Sequence, residues 1–126
     1  MAELKKVSTD KAPAAIGPYS QAIVIKDMVF TSGQIPINPA NGNIEAVTIE
    51  EQAEQVMKNL GEVLKAAGTC FENAIKTTCF LADMNDFAAF NAVYAKYFTT
   101  KPARSCVAVK TLPKNVLVEV EVIASL

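Results

Sequence analysis

Residues 101–110, KPARSCVAVK, set Arg104 beside Cys106 at the mouth of an apolar run, where a strand is expected to begin. A guanidinium offers a rigid fork of donors matched to a carboxylate or phosphate, so an arginine at this place is a candidate ligand anchor. Local sequence alone favours a plainer reading, a solvated surface charge or half of a structural ion pair. Near the other end of the chemistry, VLVEVEVIA at 116–124 alternates with period two. Val116, Val118, Val120, Val122 and Ala124 share one face of a strand, and Leu117, Glu119, Glu121 and Ile123 share the other. Two carboxylates about 6–7 Å apart along a strand invite an acid–base pair. With no tryptophan to stack a sugar, a glycosidase-like reading carries little weight against a half-solvated strand.

What is missing narrows the chemistry further. There is no histidine among the 126 residues, which removes Ser-His-Asp and Cys-His nucleophile systems, HExxH zinc sites and imidazole acid–base chemistry together. Cys70, Cys79 and Cys106 are three at wide spacings without a CxxC pair, so they read as free thiols rather than a disulfide framework or a zinc site. Cys106, next to an arginine, is either a packed thiol with its backbone in use or a thiol of depressed pKa open to oxidation; the first is favoured. The formal charge of −1, with both signs interspersed, supplies no basic stripe for nucleic acid and no polybasic membrane patch. MAELKKVSTD lacks the apolar core of a signal peptide, and no apolar run approaches the roughly 20 residues that span a bilayer. The expectation is a soluble, cytoplasmic protein of one domain, residues 1–126, working on small molecules.

Several polar residues sit where an element would aim them. Pro18 fixes its own φ and restricts Gly17, so Tyr19 is presented at a defined angle as a strand starts; the alternative is an ordinary loop tyrosine. Ser32 and Gly33 close a strand, where a glycine marks either close backbone approach or, the plainer reading, a bulge or turn. Asn91 lies four residues after Phe87 and three before Tyr94, in the middle of an apolar helix face. An amide there must find partners, at a cost of about 1–3 kcal/mol if it does not, and a structural hydrogen bond to a neighbouring loop is the plain reading.

The positioning elements read as strands at 4–7, 22–25 and 28–32, the last two a hairpin across Lys26 and Asp27. A helix follows at 48–68, opened by the Thr48/Glu51 capping box and stopped at Gly68. Its apolar stripe runs through Ile49, Ala53, Val56, Met57, Leu60, Val63, Leu64 and Ala67. A strand at 74–82, a helix at 86–98 packing through Phe87, Phe90, Tyr94, Tyr97 and Phe98, and strands at 105–110 and 116–124 complete the chain. This order implies an α+β domain with two helices on one face of the sheet. The strands are apolar on both faces, so the uncovered face is expected to meet another subunit.

GPYSQA at 17–22, TSGQIPINP at 31–39, NDFAAFNAVYAKYF at 85–98, PARSC at 102–106 and LPKNVLVEVE at 112–121 together resemble the RidA family, reactive intermediate deaminase A, formerly called YjgF. The resemblance covers nearly the whole chain in order. It implies a chorismate-mutase-like fold with a mixed sheet, assembled as a homotrimer with clefts between subunits. It implies hydrolysis of enamine and imine acids, such as 2-aminoacrylate, to 2-keto acids and ammonia without metal or organic cofactor. Arg104 would then pair with the substrate carboxylate, backbone amides near Gly33 and Cys106 would add donors, and Glu119 would activate water. Tyr19, Ser32 and Asn91 would shape the cleft. A keto-acid carrier or sensor using the same pocket is the rival reading; an endoribonuclease, attached to some relatives, finds no basic groove or histidine pair here.

Overall fold

In the computed structural model, which describes residues 2–126, the sheet grows from a hairpin. Lys5–Val7 (β1) pairs antiparallel with Ala22–Ile25 (β2), which turns through Lys26 at φ 51° into Met28–Thr31 (β3). Ala74–Leu81 (β4), Ala103–Ala108 (β5) and Val118–Ser125 (β6) finish a six-stranded sheet of order β1-β2-β3-β6-β4-β5. Only β4 and β5 run parallel, so the sheet is mixed. Two helices connect the strands, Ile49–Ala67 (α1) and Phe87–Tyr97 (α2). The molecule is a single α+β domain.

The alternation of β6 decides the layers. Val118, Val120, Val122 and Ala124 are buried under the helices, packed with Ala53, Val56, Met57, Leu60, Val63 and Leu64 of α1. The capping box of α1 is formed: the Glu51 amide donates to Thr48 Oγ1 at 3.2 Å and the Thr48 amide to Glu51 Oε1 at 3.1 Å. Gly68 ends the helix at φ 92°, its amide donating to the carbonyls of Leu64 and Lys65. Thr77 pairs with Val122 in the register and its hydroxyl meets Tyr94 of α2 at 2.8 Å, so α2 lies on the same face as α1. The opposite face is open. It carries cross-strand rows Ile23, Phe30, Ile123 and Glu119, Phe80, Val107, with Phe30 40% and Val107 46% exposed.

Element ends differ from the sequence expectation in one way that matters. β5 begins at Ala103, not at 105, because Lys76 of the long strand β4 pairs with Ala103 and extends the ladder upstream. Arg104 therefore lies inside a strand rather than before it. β6 begins at Val118, not 116, because a tight turn over Pro113–Asn115 with Lys114 and Asn115 at positive φ intervenes. Asp83 caps a short turn at Met84–Asp86, and α2 starts only at Phe87.

Candidate active site

Phe87, Asn91 and Tyr94 are spaced along one face of α2, above the second residue of β5. The Arg104 guanidinium lies 4.7 Å from the Tyr94 ring centroid and 5.4 Å from that of Phe87, and donates to Asn91 Oδ1 at 2.7 Å. The partner of Asn91 is thus the candidate anchor inside β5, not a neighbouring loop. Tyr94 is fixed in turn by Thr77 and by stacking on Phe98 at 4.5 Å. Among the described residues the only salt bridge joins Lys96 to Glu54, so Arg104 has no carboxylate partner. Most of its donor fork stays free at a cleft of about 300 Å³ lined by Asn91, Tyr94, Phe98 and Pro102.

Cys106 shares this edge. Burial pushes its thiol pKa up, against the lesser opposing pull of Arg104, and pushes the thiol of its cross-strand neighbour Cys79 up to about 12. This agrees with the favoured reading of Cys106 as a packed thiol and not with the depressed-pKa alternative, because desolvation outweighs the guanidinium. Its backbone is better placed. The Val109 amide donates to Leu81 O at 2.9 Å, and alternation along a strand sends the amides of Cys106 and Ala108 the other way, to the free edge of β5. There the Cys106 N–H stands near Arg104 with no strand to bond.

A second group assembles where β3 ends. Thr31 Oγ1 accepts from the Val122 amide at 3.0 Å, and Gln34 and Val120 exchange backbone bonds of 2.9 and 3.2 Å. Three residue steps on one strand face two on the other, so Ser32 and Gly33 form a bulge. Ser32 locks it, giving its hydroxyl proton to Ser20 O at 2.6 Å and its amide to Gln21 O at 2.9 Å. The Gly33 amide donates to nothing among the described residues. A Cβ at Gly33 would collide with the Glu119 carboxylate, so this glycine is a bulge that also admits the close approach of that side chain. Burial, helped by the charge of Glu121, raises the Glu119 pKa. Tyr19, 53% exposed, rides an arch pinned by Gln21, whose side-chain amide bonds Thr9, Ala12 and Pro13.

The chain brings Tyr19, Ser32, Gly33 and Glu119 together, and separately Asn91, Arg104 and Cys106. It does not join the two groups. Glu119 pairs with Phe80 and Phe80 with Val107, three residues past Arg104, which puts the two backbones about 10 Å apart across the sheet and about 10 Å along it. Glu119 also points to the open face and Arg104 to the helix face. The aromatic cradle of Phe87 and Tyr94 was not anticipated, although their spacing about Asn91 already put them on the same helix face. Among the described residues no three His, Cys, Asp or Glu side chains cluster as metal ligands, and no helix is long and apolar enough to cross a membrane.

The chain shares this design with known proteins. A protein of Mus musculus named 2-iminobutanoate/2-iminopropanoate deaminase is 50% identical over 121 residues, covering 95% of this chain and 90% of that one. The solved structure of YyfA from Yersinia pestis, of the conserved Rid protein family, is 47% identical with TM-score 0.95 over 98% of this chain and 100% of its own. That of E. coli TdcF with bound serine is 44% identical with TM-score 0.92, covering 97% and 98%. The family described as Endoribonuclease L-PSP matches residues 9–126, and with relatives so similar over nearly their full length the chain belongs to that family, the RidA or YjgF proteins.

Proposed function

We propose that this protein is an imine deaminase, hydrolysing small 2-imino acids and their enamine tautomers, such as 2-aminoacrylate, to 2-keto acids and ammonia. The reaction takes place in a cleft that Arg104 of one copy and Glu119 of a neighbouring copy complete together. The observation that carries this reading is the split of the site. An arginine with free donors and a free amide stand at one sheet edge, while a carboxylate of raised pKa beside another free amide stands on an open apolar face. Each group is half of an anion-plus-base site, and a second copy supplies the other half. A chorismate-mutase-like ring of three copies in the cytoplasm satisfies every half-site. The name of the mouse relative supports the activity. Serine in the E. coli relative supports a ligand carrying nitrogen on the carbon next to a carboxylate.

Chemically, Arg104 holds the substrate carboxylate through charge-assisted bonds, and the Gly33 and Cys106 amides add neutral donors. The protonated imine carbon then faces a water held by Glu119. As the water oxygen bonds to this carbon, Glu119 takes a proton and the C=N electron pair moves to nitrogen, giving a neutral carbinolamine. Glu119 returns that proton to the amine. The C–N bond breaks as the hydroxyl becomes the keto carbonyl, its proton leaving with ammonia as ammonium. A half-buried carboxylate of raised pKa is suited to both transfers. Tyr19 borders the cleft, and Asn91 and Ser32 hold its walls. Small carboxylates rather than nucleic acid suit a chain of net charge −1.

The test generates 2-aminoacrylate in situ and follows pyruvate and ammonia. The wild type accelerates their release, and Arg104→Ala abolishes the gain. Undiminished acceleration by Arg104→Ala removes the anchor assignment, and a wild type that binds keto acids without any acceleration is a carrier instead.

A further inference from the structure

Thr77 is 0% exposed, the deepest burial of any polar side chain among the described residues. The layer around it is built of valines, Val118, Val120 and Val122, and Val122 is its own register partner on β6. A valine has the shape of a threonine and would fill this place without taking a hydroxyl out of water. Tyr94 brings a second hydroxyl into the same region, although its ring packs on Phe90 at 5.7 Å and on Phe98 at 4.5 Å, contacts that a phenylalanine would also make. The two hydroxyls meet at 2.8 Å, and the Cys79 thiol donates weakly to Thr77 Oγ1 at 3.8 Å. A paired couple of buried hydroxyls gains little over two apolar groups of the same shape, so stability does not account for this one. Its position does. On the other side of β4, Thr77 is the register partner of Arg104. The Tyr94 ring spans the two strands, with its hydroxyl on Thr77 and the Arg104 guanidinium over its face at 4.7 Å.

We propose that Thr77 is a positioning residue for the site: by pinning the Tyr94 hydroxyl it sets the plane of the Arg104 guanidinium, and so the aim of the donors that receive the substrate carboxylate. The assignment rests on the deaminase reading for the identity of that substrate. A ring tied at its hydroxyl tip cannot swing, and a planar guanidinium stacked on it takes its tilt from the ring. Asn91 Oδ1 fixes one nitrogen of the fork at 2.7 Å. With the plane and one corner set, the remaining donors have a single orientation. Glu119 lies on the opposite face of the sheet, so losing the Thr77–Tyr94 bond weakens carboxylate binding and spares the proton transfers.

Thr77→Val, Tyr94→Phe and the double variant are compared by kinetics on the imine of alanine supplied by an amino-acid oxidase, by calorimetry with pyruvate, and by thermal melts. Each single variant raises KM and the pyruvate Kd about three- to tenfold while kcat is kept. Each also leaves one hydroxyl unpaired in the core and lowers Tm. The double variant sets two apolar groups against each other and regains Tm, while its KM and Kd stay as high as in the single variants. Thr77→Ser, which keeps the hydroxyl, stays near the wild type in KM and Kd. A double variant that regains KM and Kd together with Tm overturns the proposal. So does a wild-type KM in a folded single variant, or a Thr77→Ser as impaired as Thr77→Val. Val122→Ala removes packing from the same layer and leaves the hydroxyl pair intact, so it lowers Tm without moving KM; a KM raised as in Thr77→Val again overturns the proposal. A wild type that binds pyruvate and hydrolyses no imine sinks the deaminase, and the Kd comparison alone then decides the role of Thr77.

Discussion

Arg104 rests between two aromatic rings and one amide, and none of them neutralises it. Its planar fork is what the cradle fits, so Arg104→Lys keeps the charge but loses the stack and the paired donors. Steady-state kinetics should show kcat/KM down roughly 100-fold, mostly through KM. Glu119 acts through its proton. Glu119→Gln is expected to lose about 10²–10⁴ in kcat while still binding keto acids by calorimetry, and wild-type kcat/KM should fall as pH drops through a pKa above the usual carboxylate range. The same shift sets stability. Burial raises the folded pKa above the unfolded one, so ionised Glu119 costs stability above the raised pKa, and that cost disappears as pH falls below the unfolded value. Glu119→Gln should therefore raise Tm at neutral pH and give no gain below about pH 4. Residue types narrowed the chemistry without selecting it: a histidine-free chain leaves carboxylate, arginine, hydroxyl, thiol, amide and backbone groups, the roles given to Arg104 and Glu119 came from the family resemblance, and the spacing of Phe87, Asn91 and Tyr94 marks one helix face.

The elements earn their accuracy from pattern and lose it at their ends. The stripe of α1, except for the partly buried Ala67, and the alternation of β6 match the buried residues, because a face that must leave water has to recur at the period of its element. The start of β5 could not be read from its own residues, since the partner strand β4 decides how far the ladder runs. The polar residues of α1 do a second job that periodicity hides. Asn59 donates to the carbonyls of Ile35 at 3.0 Å and Ile37 at 2.9 Å, and Gln52 Oε1 accepts from the Leu117 amide at 2.8 Å. The helix thus holds the segment after Gly33 and the approach to Glu119 in place. Asn59→Ala should cost about 1–3 kcal/mol and also raise KM for the imine severalfold. Leu64→Ala, on the same helix, should cost about 2–5 kcal/mol without moving KM; denaturant melts and kinetics on the two variants separate packing from positioning.

At the scale of the molecule, one layer of helices leaves the Glu119 face of the sheet bare, with Phe30 and Val107 among its exposed residues. The count of two helices, which can cover only one face of such a sheet, already implied that in the sequence. The separation of Arg104 from Glu119 did not show there, because it depends on strand order and on which face of its strand each residue takes. The most direct test mixes two dead variants, Arg104→Ala and Glu119→Gln, under conditions that dissociate and rebuild the assembly, with mixed composition verified by native mass spectrometry. If each site takes its arginine and its carboxylate from different copies, random reassembly restores roughly a quarter of the wild-type sites, and imine hydrolysis returns to that level. If both residues of a site come from one chain, every rebuilt site stays defective, and verified mixed assemblies without activity would contradict the split site.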